Sequence, residues 1–205
     1  MSDLEPTTDQ IPVRQRLMVE GGKLFSEKGF DGTSVRDICE KAATSSRMIH
    51  HYFGSKQGLL DAILEDFTTD FLDVPLRIIS APVDSKAALS ERFEIFFAET
   101  LHAVMTHRVG FEIGIREQIA LPAFTTYYEQ LSKFFDQAKE KGLIRQDLDA
   151  NLITGMVLDR CGNQVSYANS MLELAGTNVF VDDQYRVNWI KANVNLLLHG
   201  MLNPN

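Results

Sequence analysis

The sequence predicts an all-α protein of about nine helices, in which a small separable N-terminal unit precedes a larger helical body. Three observations predict it. Apolar residues recur at the helical period in nearly every patterned segment. No alternating run is bounded by hairpin turns, and nothing repeats at a fixed spacing. A length of 205 residues, 44% of them apolar and 23% charged, buries a substantial core without metal or disulfide and fits ordinary globular usage. The longest apolar runs, such as Leu196-Leu197-Leu198, fall far short of the roughly 18 residues that a membrane span needs. The acidic start Met1-Ser2-Asp3-Leu4-Glu5-Pro6 is the reverse of a secretory signal. Cys39 and Cys161, each inside a helical pattern, read as reduced thiols. The expectation is a cytoplasmic chain with no membrane partner.

In chain order, residues 1–10 read as a flexible tail. Pro12 suits a first helical turn, and Leu17, Gly21, Leu24 and Phe25 share one face of a helix closed by Lys28-Gly29-Phe30. A second helix runs from about Ser34 to Ala42. Thr33 or Ser34 is its N-cap, Asp37 completes a capping box, and Val35, Ile38 and Ala42 form its buried stripe. Ala43-Thr44-Ser45 is a tight turn into a third helix over about Ser46–Tyr52, broken by Gly54-Ser55. A fourth runs from Lys56 through Phe67 and Phe71 until Pro75. Further helices are predicted over 86–106, 108–120, 123–141, 149–175 and 183–201. Asp147 and Asp182 are read as caps of the last two, and Gly142 and Gly176 as stops. The organisation is a tail (1–10), a head (11–57, motif about 33–52) and a body (58–205).

The net charge of −8 argues against a polyanionic partner until its distribution is seen. From Ile11 to Leu60, eight basic residues face five acids, and Lys41–Leu60 holds Lys41, Arg47, Lys56, His50 and His51 with no acid at all. An electropositive head on an acidic body points to two jobs. Helices two and three have the spacing of a helix-turn-helix, in which the second helix braces against the backbone while the third enters the major groove. Ile49 and Phe53 anchor the third helix, and Ser46, Arg47 and His50 face outward as donors. A carboxylate there would repel phosphates, so its absence matters. Adjacent helical residues point about 100° apart, which disfavours His50 and His51 as paired metal ligands.

The runs Leu24-Phe25-Ser26-Glu27-Lys28-Gly29-Phe30-Asp31-Gly32-Thr33-Ser34-Val35-Arg36-Asp37-Ile38 and His51-Tyr52-Phe53-Gly54-Ser55-Lys56-Gln57-Gly58-Leu59-Leu60 resemble the TetR/AcrR family of bacterial transcriptional regulators. The resemblance covers roughly the first third of the chain. It implies that Thr33 and Ser34 touch phosphate at the start of helix two, where free N–H groups favour anions. It also implies that Arg36 reads a base or phosphate and that Ser45, Ser46, Arg47, Met48 and His50 form the reading face. His51 belongs to the matching run and is counted with the DNA-binding residues, Tyr52 is the phosphate-binding tyrosine, and Lys56 grips the backbone. Three positions depart from the pattern: Ala43 stands for the usual glycine, Met48 for a threonine and His50 for a tyrosine. Plainer roles stand beside these: Arg36 as an ion-pair partner of Asp37 or Glu40, Met48 as core, Tyr52 as structural.

Enzyme signatures fail: there is no Gly-rich phosphate loop, nucleophile elbow or Cys-x-x-Cys. Glu99-Thr100-Leu101-His102 matches half of a di-iron motif without a second copy. No catalytic residue, metal or cofactor is expected. The body carries aromatics and methionine at helical spacing, ordinary core residue by residue but together able to line an apolar pocket. The resemblance implies such an effector pocket; the candidate lining is Phe97, Leu101, Met105, Phe111 and Phe124, with His102, Arg116, Tyr127, Asn163 and Gln164 as candidate polar groups. Small and mixed residues on the last two helices, Gly155, Gly162, Ala168, Leu172, Trp189, Asn193 and Leu196, suit close helix approach at a two-fold interface. The implied protein is a ligand-responsive repressor, a homodimer on a palindromic double-stranded operator, released by a small apolar or aromatic effector. The alternatives are control by a protein partner and, remotely, a helical enzyme.

Overall fold

The computed structural model describes residues 11–71, 73–119 and 122–202, so the expected tail over 1–10 lies outside the described residues. Among these the chain forms eleven helices and no strand beyond one isolated antiparallel bridge between Ile144 and Leu202. They are α1 (Val13–Lys28), α2 (Val35–Lys41), α3 (Ser46–Phe53), α4 (Lys56–Asp70), α5 (Asp73–Ser80), α6 (Lys86–Thr106), α7 (Arg108–Arg116), α8 (Pro122–Glu140), α9 (Ala150–Ser166), α10 (Ala168–Ala175) and α11 (Asp183–Met201).

Two helices exceed the expected nine, for two reasons. Pro75 does not simply end α4: it occupies the first turn of α5, where its missing N–H leaves no hydrogen bond unmade. The predicted 149–175 helix breaks at Tyr167 into α9 and α10. Asp147 is not the cap of α9, because it pairs with Arg145. Asp149 caps instead, accepting from the Asn151 and Leu152 amides at 2.8 and 3.1 Å. Asp182 caps α11 as expected, its carboxylate accepting from the Tyr185 amide at 2.8 Å.

The chain divides into two compact units. The first comprises the described residues up to Thr69 together with Val109–Ile119, and so takes in α4 and most of α7 beyond the expected boundary at residue 57. Its core is Leu17, Leu24, Phe25, Ile38, Ile49, Leu59 and Leu60. Burying the Ile49 side chain alone contributes about 1.5–3 kcal/mol to holding α3 in place. Glycines set the helix spacing here. A Cβ on Gly110 of α7 would lie 2.4 Å from the Phe67 ring of α4, and one on Gly22 of α1 would lie 3.0 Å from Val109. The second unit holds α5, α6 and α8–α11 around Phe93, Phe96, Phe97, Leu101, Tyr127, Leu131, Phe134 and Phe135. No described helix is long and apolar enough to cross a membrane.

Candidate nucleic-acid interface

The local sequence builds the motif through three devices. Ser34 caps α2 in a full capping box: its hydroxyl accepts from the Asp37 amide at 3.1 Å, and its own amide donates to Asp37 Oδ2 at 3.2 Å. The Ser34 hydroxyl, then the Ser34 amide, hold the Asp37 carboxyl below the ordinary aspartate value. The α2–α3 turn is a Schellman motif, with the Ala43 and Thr44 amides donating to the Glu40 and Cys39 carbonyls at 3.3 and 2.9 Å. Ala43 takes φ +47° at the position that favours glycine. Arg16 of α1 donates through Nε to the Ala42 carbonyl at 3.0 Å, fastening this turn to α1. Arg16 is thus spent on structure, a use that charge counting does not reveal.

On α3, Ile49 is buried and Phe53 half-buried, the latter under the Arg14 guanidinium at 5.5 Å. At 100° per residue, Ser46, His50, Arg47 and His51 follow one another around an arc of about 140° beside the buried Ile49, with Arg47 and His51 farthest from it, and all four are exposed. Ser45 is exposed at the N-cap and Met48 is half-buried at the edge of this arc. His50 Nδ1 lies 2.9 Å from the Gly54 carbonyl. A carbonyl only accepts, so Nδ1 is the donor in this contact and Nε2 is the ring nitrogen left for an outside partner. Tyr52 is 41% exposed, edge-on to His51 at 4.9 Å. Arg36 is exposed, and its charge is a minor contributor to the lowered Asp37 pKa.

Two predicted phosphate contacts are engaged elsewhere. Thr33 is 1% exposed, and its hydroxyl lies 2.8 and 3.1 Å from the Gly29 and Leu24 carbonyls, so its side chain secures the α1–α2 loop. Lys56 is half-buried. Its ammonium donates to the Phe30 and Thr33 carbonyls at 2.8 and 2.9 Å and sits 4.0 Å from the centre of the Phe30 ring, leaving one N–H uncommitted. Sequence reasoning missed Glu117, whose Oε1 accepts from the Phe30 amide at 2.9 Å. A contact across 87 positions leaves no local signal.

In the second unit, Phe97, Leu101 and Tyr127 meet in one core. Phe96 stacks on Tyr127 at 5.6 Å and Phe97 lies 5.6 Å from Trp189. The Tyr127 hydroxyl is 3.1 Å from that of Thr100, and burial pushes its pKa well up. Met105, Phe124 and Gln164 are half-buried. His102 and Asn163 are both exposed, on faces of α6 and α9 turned away from the buried stripes. Phe111 and Arg116 lie on α7 in the first unit, Phe111 buried and Arg116 exposed. Two open grooves of the second unit have mixed polar and apolar linings, Val194, Leu198 and Leu202 contributing to the larger of the two. One of about 440 Å³ runs past Ser132, Asp136 and Asn151, and one of about 580 Å³ past Glu94, Lys191 and His199. No cluster of three His, Cys, Asp or Glu side chains occurs among the described residues.

The expected interface splits as well. Gly162, Ala168 and Asn193 are buried within their own unit, Asn193 accepting from Arg160 at 2.6 Å and donating to the Trp189 carbonyl at 2.8 Å. Gly155 and Trp189 are half-buried. Leu172 and Leu196 are exposed, and the structure adds Leu152, Met156, Tyr167 and Leu174. Leu152, Met156 and Asn163 fall at i, i+4 and i+11, one face of α9.

An acid-free helix on a capped, Schellman-turned partner is the geometry of a DNA-binding helix-turn-helix, and a model of the bacterial regulatory proteins of the tetR family matches residues 18–63. The chain belongs to the TetR family. The transcriptional repressor KstR2 of Mycobacterium tuberculosis is 30% identical over 157 residues, 71% of this chain and 76% of the relative. The solved structure of ketosteroid transcriptional regulator KstR2 of that organism has the same fold, with a TM-score of 0.71 and 22% identity over 94% of this chain and 96% of that one. AibR, solved in complex with isovaleryl coenzyme A and operator DNA, matches at a TM-score of 0.63 and 19% identity over 76% and 86%. The protein is a transcriptional regulator and not an enzyme.

Proposed function

We propose that the protein is a homodimeric repressor that sets its two α3 helices in successive major grooves of a palindromic operator and is released by a small apolar or aromatic effector. The observation that carries this reading is the exposed, carboxylate-free face of Ser46, Arg47, His50 and His51 on α3. Ser34, Arg36, Ser45, Met48 and Tyr52 flank it and complete the surface offered to phosphates and base edges. Dimerisation is supported by Leu152 and Met156 on one face of α9 and Leu196 on α11, which are 67%, 53% and 63% exposed, apolar surface of the kind that an interaction site offers. An effector is supported by the aromatic core of the second unit and by a neighbour of the same fold solved with an acyl thioester and operator DNA.

Selection of binding duplexes from a random-sequence library by the full-length protein tests the DNA half. The expected winners are palindromes with half-site centres about 34–36 Å apart or slightly more. Winners without two-fold symmetry, or none, contradict it. A thermal-shift screen of apolar compounds, acyl thioesters included, tests the effector half, because a true ligand raises the midpoint. That ligand must also bind the free protein more tightly than the DNA complex, and equal affinities would remove it as a releasing effector.

A further inference from the structure

Both backbone groups of Phe30 are held by side chains from distant helices. Its amide donates to Glu117 Oε1 at 2.9 Å, from just past the end of α7, while its carbonyl accepts from Lys56 at the start of α4 at 2.8 Å. Lys56 also holds the Thr33 carbonyl, and the Thr33 hydroxyl turns back to Gly29 and Leu24. The loop from Gly29 to Thr33 is therefore fixed from several directions, and Ser34, the N-cap of α2, follows it directly. Gly29 leaves room for the carboxylate. It takes φ +77°, and a Cβ there would stand 3.1 Å from Glu117 Oε1. Glu117 lies outside the segment that the family model matches, residues 18–63, yet within the same compact unit as the motif. The glycine contacts of α7 on α1 and α4 seat it there.

We infer that Glu117 is a positioning residue for DNA binding. Its carboxylate touches no base or phosphate. It fixes the α1–α2 loop and with it the angle at which α2 presents α3. The part it plays depends on an oxygen acceptor at the right reach and not on charge. Placing a carboxylate in a DNA-binding unit works against phosphate binding in general, so a geometric role accounts for it where an electrostatic one does not. The inference rests on the DNA-binding reading of α3.

The test uses the full-length protein and the duplex it selects, with binding measured by fluorescence anisotropy across a salt series. Glu117→Ala is expected to weaken binding about tenfold at every salt concentration, with an unchanged salt slope because no phosphate contact is lost. Glu117→Gln keeps the oxygen acceptor and is expected within about twofold of the native protein. Glu117→Asp keeps the charge but draws it back by one methylene, so it behaves like the alanine variant and decides the matter if alanine fails to fold. Exchange of the Phe30 amide accelerates in the alanine and aspartate variants and not in the glutamine one. Native-like binding by the aspartate or alanine variant, or loss of binding with glutamine, overturns the inference. Failure of the native protein itself to retain any duplex overturns the DNA reading and the inference with it, a result distinct from every outcome specific to residue 117.

Discussion

Ala43 sits at φ +47°, where a Cβ crowds the following carbonyl and glycine does not. Ala43→Gly is therefore expected to raise unfolding stability by about 1 kcal/mol. Denaturant unfolding of the full chain checks it, and an unchanged or lower midpoint contradicts it. The departure from the family's glycine was legible in the sequence, but its physical meaning needed the angle. Lys56 shows the reverse. Sequence assigned it to DNA, whereas its ammonium bonds two carbonyls of its own loop, so Lys56→Ala is expected to lower stability by about 1–2 kcal/mol in the absence of DNA. A DNA-free stability equal to that of the native protein would return the lysine to a purely phosphate-binding role. Thr33 raises a similar ambiguity: a hydroxyl beside a helix start can turn outward to an anion or inward to carbonyls, and residue type does not distinguish the two.

At the scale of elements, α2 stands on its capping box, and Ser34→Ala is expected to cost about 1 kcal/mol of stability. The box also has a pH signature. The folded Asp37 carboxyl lies below its ordinary value, so its contribution is fully present above the ordinary aspartate range and is lost as pH falls through the lowered value. Asp37→Asn should flatten the stability–pH curve in that acid window, and a curve that keeps the native slope would show that the box is not coupled to titration. The box, the turn and most helix boundaries were legible because capping is local chemistry between residues a few positions apart. What was not legible depended on competition between equivalent signals. Asp147 and Asp149 both suit a cap, and Arg145 decides between them by pairing with Asp147. Pro75 reads equally as a stop or as a first-turn residue, and α5 uses it as the latter.

For the whole molecule, an all-helical chain with an N-terminal reading motif was visible from periodicity and charge. The partition of the later helices was not. Residues 109–119 join the first unit through glycine contacts with Phe67 and Val109 and through Glu117, all between segments far apart in sequence. Of the residues expected at a dimer surface, burial leaves Leu172 and Leu196 exposed and turns Gly162, Ala168 and Asn193 to their own core, while Leu152 and Met156 add to the exposed apolar set. Leu196→Asp is expected to shift the protein toward monomer in sedimentation analysis, while a species distribution identical to the native one would remove this face from the interface. The central claim is that the α3 face reads the duplex. It is tested most directly by measuring Arg47→Ala and His50→Ala affinities against the selected duplex and every single base-pair variant of it. The account predicts that each variant loses about 1–3 kcal/mol of discrimination at one position per half-site. Preference profiles superimposable on the native one for both variants would contradict it.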